Sequence, residues 1–569
     1  RNKRRAWKKL RREDRSFKTF KAISNAAKKS VRRAKRKFER SLVKSAKKNP
    51  RKFYAYLNCK KRKQNRIGPI TDANGEVIED DTKMAECFNR VFSAVFQHGP
   101  DPIEPTKLFD DSVHTALHTV EFPRELVEKK LNNLREFSAP GPDGMYPALL
   151  KHCAFEFSMP LALIFSASMK EACLPTDWKR TNISPIFKSG SKSTPENYRP
   201  INLCSVPAKI MEQIIKDAVI DHISQNGLLL PTQHGFMPGR SCVSNLLAYL
   251  NEVTSAMDAG VPFDAIMVDF RRAFDVVPFQ HLLRKLEAHG ISGDLLGWFG
   301  DWTRGRQQRV VINGQSSAWA EVISSVVQGS VIGPVLFLIF INDLDFVVDK
   351  DETKLFKYAD DSKFGRRIRD DGDSAALQAD LDGVIQRSAR NGMTLHPSKT
   401  VVIHFGYNNP RYQYTLSGST VMEADSVKDL GVLINAKCTP GEHVSKIVNK
   451  ANSVLGQLRR ATVNRSKDMI VSLYKTYVRP LLESSVQAWN PWLRQDIDRI
   501  EKVQRRATKL VSGIGSMSYE ARLDFCGLTT LEQRRVRGDL IQCFKILNGF
   551  DNSESLDLFS FTRDRNDIN

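Results

Sequence analysis

The sequence predicts an α+β protein of several domains, and three observations carry that reading. Strand-like and helical stretches alternate between Pro/Gly-rich loops such as Ala139-Pro-Gly-Pro-Asp-Gly144 over most of the chain. Beyond about residue 440 the pattern turns helical. With 41% hydrophobic residues and 31 Phe, the 569 residues hold enough apolar material for a packed core. At roughly 150 residues per domain that length suggests about three to four domains and excludes disorder throughout. Internal repeats and low-complexity tracts are absent from the sequence.

The first element is basic. The formal net charge is +23, and residues 1–66 hold 29 of the 87 Lys and Arg residues against 3 of the 64 Asp and Glu. Everything after them is therefore close to neutral. Within this segment Phe20, Ile23, Ala27, Val31, Ala34, Phe38 and Leu42 recur at three- or four-residue steps, the stripe of an amphipathic helix with cationic outer faces. So dense a like charge repels itself, and a polyanion relieves the repulsion. A nucleic-acid backbone fits, with salt-dependent affinity. A solvated tail or a nuclear address at Lys60-Lys61-Arg62-Lys63 also accounts for the charge.

Nine cysteines lie scattered without a Cys-x-x-Cys pair or Cys/His metal spacing, which indicates neither a disulfide scaffold nor a zinc ribbon and favours a reducing compartment. The longest apolar stretch, Val331 to Ile341, is about half of what a bilayer needs, so no membrane role is expected. The chain opens on Arg1 rather than Met, as a fragment of a longer reading frame would.

The C-terminal region reads as three helices. Thr439-Pro-Gly-Glu442 has the form of a capping box, with Val444, Ile447, Val448, Ala451, Leu455 and Leu458 on one apolar face behind it. Ile497, Ile500, Val503, Ala507, Leu510 and Val511 mark a second helix that stops at Gly513 and carries Arg499, Lys502, Arg505, Arg506 and Lys509 outside. A third follows Thr530 with Val536, Leu540, Ile541 and Phe544.

Two places put Asp where burial is costly. Phe263-Asp-Ala-Ile-Met-Val-Asp269-Phe270 is strand-like and ends on a carboxylate. Leu355-Phe-Lys-Tyr358 and Ser362-Lys-Phe364 flank Ala359-Asp360-Asp361, which reads as a tight hairpin with two acids at its tip. Adjacent carboxylates repel unless a cation joins them, and hard oxygens select Mg²⁺ or Mn²⁺. A third carboxylate from a neighbouring strand would complete a two-metal site for in-line phosphoryl displacement. Ordinary turn acids are the alternative for each residue taken alone.

Taken in order, Asp269-Phe-Arg-Arg-Ala-Phe-Asp275, Gln328-Gly-Ser-Val-Ile-Gly-Pro334 and Tyr358-Ala-Asp-Asp361 resemble the motif set of reverse transcriptases. In detail they are similar to the non-LTR (LINE-type) retrotransposon enzymes of the jockey-like group. Ala139 to Gly144, Asn197-Tyr-Arg-Pro-Ile-Asn202 and Gln233-His-Gly-Phe-Met-Pro-Gly-Arg-Ser241 extend the match upstream. Asn391 to Thr400 and Leu430-Gly-Val432 extend it downstream, so that it spans about residues 135–460.

The resemblance implies a right-hand polymerase. Its parts would be a basic arm (1–66), a linker or N-terminal extension (67–121), fingers (122–262), palm (263–435), helical thumb (436–515) and a C-terminal helical extension (516–569). It implies that Asp269, Asp360 and Asp361 bind two Mg²⁺ or Mn²⁺ ions, with the carbonyl of Phe270 also facing a metal. Phe274 would lie under the sugar and exclude a 2′-hydroxyl. Gln328 and Gly329 would contact the incoming nucleotide and template, with Ser330 at a helix N-cap.

Lys188 and Arg199 match cations that hold the triphosphate, and Lys399 matches a lysine that protonates departing pyrophosphate. Leu430 to Val432 resembles the loop that grips the primer. The implied partners are an RNA template, a DNA primer or target, deoxynucleoside triphosphates and the element's own RNA in a nuclear and cytoplasmic ribonucleoprotein. Departures from the family are Val327 in place of Pro, Ile332 in place of Leu and Cys204 in place of a hydroxyl residue. The upstream endonuclease that such elements usually carry is absent from these residues. The rival readings are a domesticated, non-catalytic RNA-binding scaffold of the same fold, a basic structural ribonucleoprotein component and a group II intron-type maturase.

Overall fold

The computed structural model describes residues 17–46, 56, 66–97, 99–101, 104–110, 115–462 and 465–551. Helices and sheets are both present, as an α+β fold requires. The chain divides into two compact units, one of residues 66–427 and one that joins residues 428–548 to the N-terminal segment.

In the first unit the strands that position the site are, in chain order, β1 (Arg180–Phe187), β2 (Tyr198–Leu203), β3 (Phe263–Val268), β4 (Gln307–Ile312), β5 (Lys354–Tyr358), β6 (Asp361–Arg367), β7 (Val401–Phe405) and β8 (Met422–Glu423). They form two five-stranded sheets. In the first sheet β2 is antiparallel to β1, β4 runs parallel to β1 from the pair Arg180↔Gln307, and the short strands Gln315–Ser316 and Ala320–Glu321 fold back on β4. The order of the second is β8-β7-β3-β6-β5.

Residues 67–121, expected as a linker or N-terminal extension, include the helix Asp81–Ser93, whose Met84, Phe88 and Phe92 pack with Ile183, Tyr198 and Val310 on one face of the first sheet. A 13-residue amphipathic helix has an apolar stripe to bury, and that face takes it. Likewise β4 lies beyond the expected 262/263 boundary yet pairs with β1, because strand pairing follows register and not chain order.

β3 is the central strand of the second sheet and reads as a nearly continuous apolar run, as a strand covered on both faces must. Its one internal acid, Asp264, is fully buried, and it accepts from Asn409 Nδ2 (2.7 Å) and the Tyr414 hydroxyl (2.7 Å), with His404 Nδ1 at 2.8 Å. These three polar partners are what make a carboxylate tolerable there. The helix Gly333–Ile341 is buried on all faces, in the same core as Phe165, Met211, Trp298 and Trp302.

In the second unit the helix Gly441–Ala461 buries Val444, Ile447, Ala451, Leu455 and Leu458 as the periodicity requires. The capping box does not form: Pro440 occupies the N-cap, and Thr439 bonds instead to the Asn435 side chain, which its own N–H reaches at 2.9 Å. The helix Arg494–Lys509 buries Ile500, Val503 and Ala507, and Gly513 follows with a φ of +88°. The helix Leu531–Leu547 has a complete capping box from Thr530 and Gln533. Its Val536, Leu540, Ile541 and Phe544 are exposed, whereas Leu531, Arg535 and Gln542 are buried.

The helix Phe17–Ala46 belongs to this unit. Phe20, Ile23, Ala27 and Leu42 of the expected stripe are half-buried, whereas Val31 and Phe38 are more than half exposed and Ser24 and Glu39 are buried. Glu39 accepts from the Tyr56 hydroxyl at 2.8 Å, and the Tyr56 ring meets Phe38 edge-on. The basic run Lys60 to Lys63 lies outside the described residues. Among the described residues no helix is long and apolar enough to cross a membrane, and all eight cysteines are free.

Candidate active site

Tyr358 and Asp361 face each other across a two-residue hairpin whose first turn residue, Ala359, has a φ of +58°. The expected hairpin is therefore present, with Asp360 at the tip and Asp361 on the first rung of β6. An alanine in left-handed backbone carries strain that only surrounding structure can hold. Here the segment after Pro231 holds it. His234 N–H donates to the Lys357 carbonyl (2.9 Å), and Lys357 N–H donates to the Thr232 carbonyl (2.9 Å). The Gln233 side-chain oxygen accepts from both Gly235 N–H (2.8 Å) and Ala359 N–H (3.0 Å). A Cβ on Gly235 would stand 2.6 Å from the Ala359 nitrogen, so this close approach requires glycine.

Asp269 follows β3. The last registered pair of β3 and β6 is Val268↔Ser362, and one step beyond it the register carries Asp269 towards Asp361. On its other side Phe270 bridges to Leu395, the Asp269 carbonyl accepts from His396 N–H (2.8 Å), and Lys399 Nζ donates to Asp269 Oδ2 (2.9 Å). The Phe270 side chain is buried in the core. Lys399 and Asp269 are both substantially exposed, so their pairing is worth about 1 kcal/mol or less and yields readily to a stronger cation.

Phe274 is half-buried and stacks on Phe337 of the apolar helix, with centroids 4.3 Å apart and planes at 18°. Its carbonyl accepts from Val326 N–H at 2.7 Å, which ties it to the segment that leads into Gln328. Gln328 donates through Nε2 to Asp275 Oδ1 (2.8 Å), and its carbonyl accepts from both Asn202 N–H (2.9 Å) and Asn202 Nδ2 (3.2 Å). Gly329 has a φ of +119°, and a Cβ there would lie 2.5 Å from the Asn202 carbonyl oxygen.

Ser330 is not the N-cap, a position that Ile332 holds. Its hydroxyl nevertheless accepts from Gly333 N–H at 3.1 Å, the helix beginning two residues later than a Ser330 cap would place it. Behind this loop the buried Glu212 accepts from Val331 N–H (2.7 Å) and Trp302 Nε1 (2.9 Å).

The electrostatics tie these pieces together. Burial pushes the Asp360 carboxyl above its ordinary pKa and the charge of Asp269 adds to that, while Arg199 and Lys188 pull it back. Two acids from β3 and the hairpin and two exposed cations from the ends of β1 and β2 thus share one field. Asp275 is pushed up to about 6, chiefly by burial, against the opposing pull of Arg272 and the Gln328 hydrogen bond. Among the described residues no three His, Cys, Asp or Glu side chains converge into a ready-made metal cage. What suits a divalent ion is the donor set itself: hard carboxylate oxygens of like charge, with the Asp269 charge helping to raise the Asp360 carboxyl.

Residues 186–434 match the family of reverse transcriptases (RNA-dependent DNA polymerases). The chain carries a reverse transcriptase domain. A probable RNA-directed DNA polymerase from transposon X-element of Drosophila melanogaster is 26% identical over 475 residues, 80% of this chain and 51% of that protein. The corresponding polymerase from mobile element jockey of the same fly is 23% identical over 416 residues, 71% of this chain and 45% of that one. A type-1 element R2 Pol polyprotein of Popillia japonica is 24% identical over 155 residues, 27% of this chain and 20% of that protein. The jockey-like resemblance read from the motifs is borne out, and the chain spans about half the length of the fly relatives.

Within the reverse transcriptase domain Asp360 shares its surroundings with Asp269, Lys188 and Arg199, Lys399 pairs with Asp269, and the register carries Asp361 towards Asp269, while Gln328 and Gly329 are anchored on Asn202 and Phe274 is tied to the segment before them. Leu430 and Gly431, both with positive φ (43° and 96°), form the turn before the strand Val432–Asn435 in the other unit. Sequence reasoning gave no role to Asn202, Gln233 or Asp275, although all three stand inside quoted motifs.

Proposed function

We propose that this chain is an RNA-directed DNA polymerase that adds deoxynucleotides to a primer 3′-hydroxyl, in the manner of non-LTR retrotransposons. The observation that carries the reading is the shared field of Asp269, Asp360, Lys188 and Arg199, brought together from four separate segments. Reverse transcriptases in general use divalent metal ions. Asp269, Asp360 and Asp361, with the carbonyl of Phe270, are the groups to hold two Mg²⁺ or Mn²⁺ ions, which when bound ease ionisation of the primer hydroxyl and offset charge on the α-phosphate.

The protein's own groups do the rest. Lys188 and Arg199 neutralise the triphosphate as it approaches Asp360. Phe274, braced from behind by Phe337, sets the floor under the sugar and leaves no room for a 2′-hydroxyl. Gln328, with Nε2 committed to Asp275 and its carbonyl held by Asn202, contacts the incoming nucleotide and the template. Lys399, which pairs with Asp269 at 2.9 Å, would give its Nζ proton to departing pyrophosphate. The exposed cations of the helix Phe17–Ala46 hold the element's RNA through phosphate contacts, in a ribonucleoprotein of nucleus and cytoplasm.

Primer extension tests the reading. The purified chain is expected to extend a DNA primer on an RNA template with Mg²⁺, and Asp360→Asn to abolish extension with the fold intact. A chain that binds primer–template yet never extends it would establish the rival scaffold reading instead.

A further inference from the structure

The first sheet has two unlike faces. One carries Ile183, Tyr198 and Val310 against the helix Asp81–Ser93. By register the opposite face carries Arg180, Asn182, Ser184 and Ile186 of β1, Arg199, Ile201 and Leu203 of β2, and Gln307 and Arg309 of β4. Residues 180, 182, 184, 307 and 309 are only half-buried, and Ile186 is 52% exposed. Glu321, opposite Gln307, is the acid that the register adds to this face.

Two arginines here are held in an unusual way. Arg180 donates through Nε to Gln307 Oε1 (3.1 Å), and Arg309 donates through Nε to Asn182 Oδ1 (2.8 Å). Both guanidinium groups lie over the Trp319 ring, 5.4 and 4.6 Å from its centroid. Among the described residues neither has a carboxylate within ion-pair distance. Each group is therefore held at Nε by an amide and lies over an indole ring, while its two terminal nitrogens remain as a fork. That is the donor pattern that accepts two oxygens of one phosphate.

We propose that Arg180 and Arg309, aligned by Trp319, form a clamp for phosphodiesters of the single-stranded RNA template ahead of the polymerase site. The ligand is a polynucleotide and not the nucleoside triphosphate, because Arg199 pairs with Ile186, six residues and ~20 Å along the strand from Arg180. A triphosphate seated between Lys188, Arg199 and Asp360 does not reach so far, whereas a strand of several nucleotides does. Guanidinium forks without base-edge partners hold such a strand with no sequence preference.

The proposal rests on the polymerase reading, and its test is kept separate by measuring binding without nucleotides. Fluorescence anisotropy compares RNA–DNA primer–templates with a one-nucleotide and a six-nucleotide 5′ template overhang. Arg180→Ala with Arg309→Ala is expected to weaken the long-overhang complex about tenfold or more and to leave the short one unchanged. The doubly substituted Arg180→Lys, Arg309→Lys chain keeps charge and stem length, guards against misfolding, and is expected to remain at least about threefold weaker on the long overhang alone. Equal losses on both substrates, or no loss, overturn the clamp. A raised deoxynucleotide KM with unchanged overhang binding reassigns the pair to the triphosphate and overturns it too. If the wild-type chain shows overhang-dependent binding but extends no primer, the clamp stands and the polymerase reading falls.

Discussion

Replacing Asp275 by Asn should make the protein more stable at neutral pH. Asp275 is 6% exposed and titrates at about 6 where an ordinary Asp titrates at 3.8. Each pKa unit corresponds to about 1.4 kcal/mol, so keeping this buried carboxyl ionised costs about 3 kcal/mol. Because the native pKa is the higher one, the folded chain binds more protons than the unfolded chain between pH 3.8 and about 6. Stability from this group is therefore lost as pH rises through that window, and the full cost applies above it. Asn keeps an oxygen for Gln328 Nε2 and carries no charge. The Asp275→Asn chain should gain about 2–3 kcal/mol at pH 7.5, shrinking towards zero near pH 4. Urea unfolding followed by fluorescence of the buried Trp178, Trp298 and Trp302 of the same unit reads this directly. Equal stability at pH 7.5, or a difference that does not shrink on acidification, would refute the reasoning. A charge retained at such cost is the mark of a functional position rather than a structural one.

Three further outcomes are expected. Phe274→Val should lower discrimination against ribonucleotides at least about tenfold in incorporation assays; unchanged sugar selection would remove Phe274 from that role. Gly235→Ala should drive a methyl into the Ala359 nitrogen and displace the Asp360 tip, so extension falls at least about tenfold while primer–template affinity holds; an active Gly235→Ala chain would show that the hairpin does not need this strap. Converting the exposed Lys28, Arg32, Lys35 and Arg36 to Gln should flatten the salt dependence of RNA binding by a log–log slope of about 3; an unaltered slope would mean that this helix does not touch the phosphates.

The sequence was most legible where one residue type can do one thing. Acids at a strand end and at a hairpin tip, and an eleven-residue apolar run from Val331 to Ile341, left little choice of environment. It was least legible where a polar side chain meets a partner fifty or more residues away. Gln233 bonds across 126 positions to Ala359, and Gln328 reaches 53 back to Asp275; no local period encodes either. Helix ends misled for a related reason: Thr439 had a local competitor in Asn435, which offers both an acceptor and a donor at four residues' distance. The amphipathic reading of Phe17–Ala46 found the helix but neither the exposure of Val31 and Phe38 nor the burial of Glu39, whose partner Tyr56 lies 17 residues on.

The seat of Gln328 on Asn202 has a mechanical consequence. Main chain and carboxamide of one strand residue grip the Gln328 carbonyl, and the next residue is a glycine pressed on the Asn202 carbonyl oxygen. The peptide proposed to read the substrate is thereby a passenger of the first sheet. Any tilt of that sheet as template slides past would be transmitted to nucleotide selection without an intervening joint, coupling translocation to fidelity through a single asparagine.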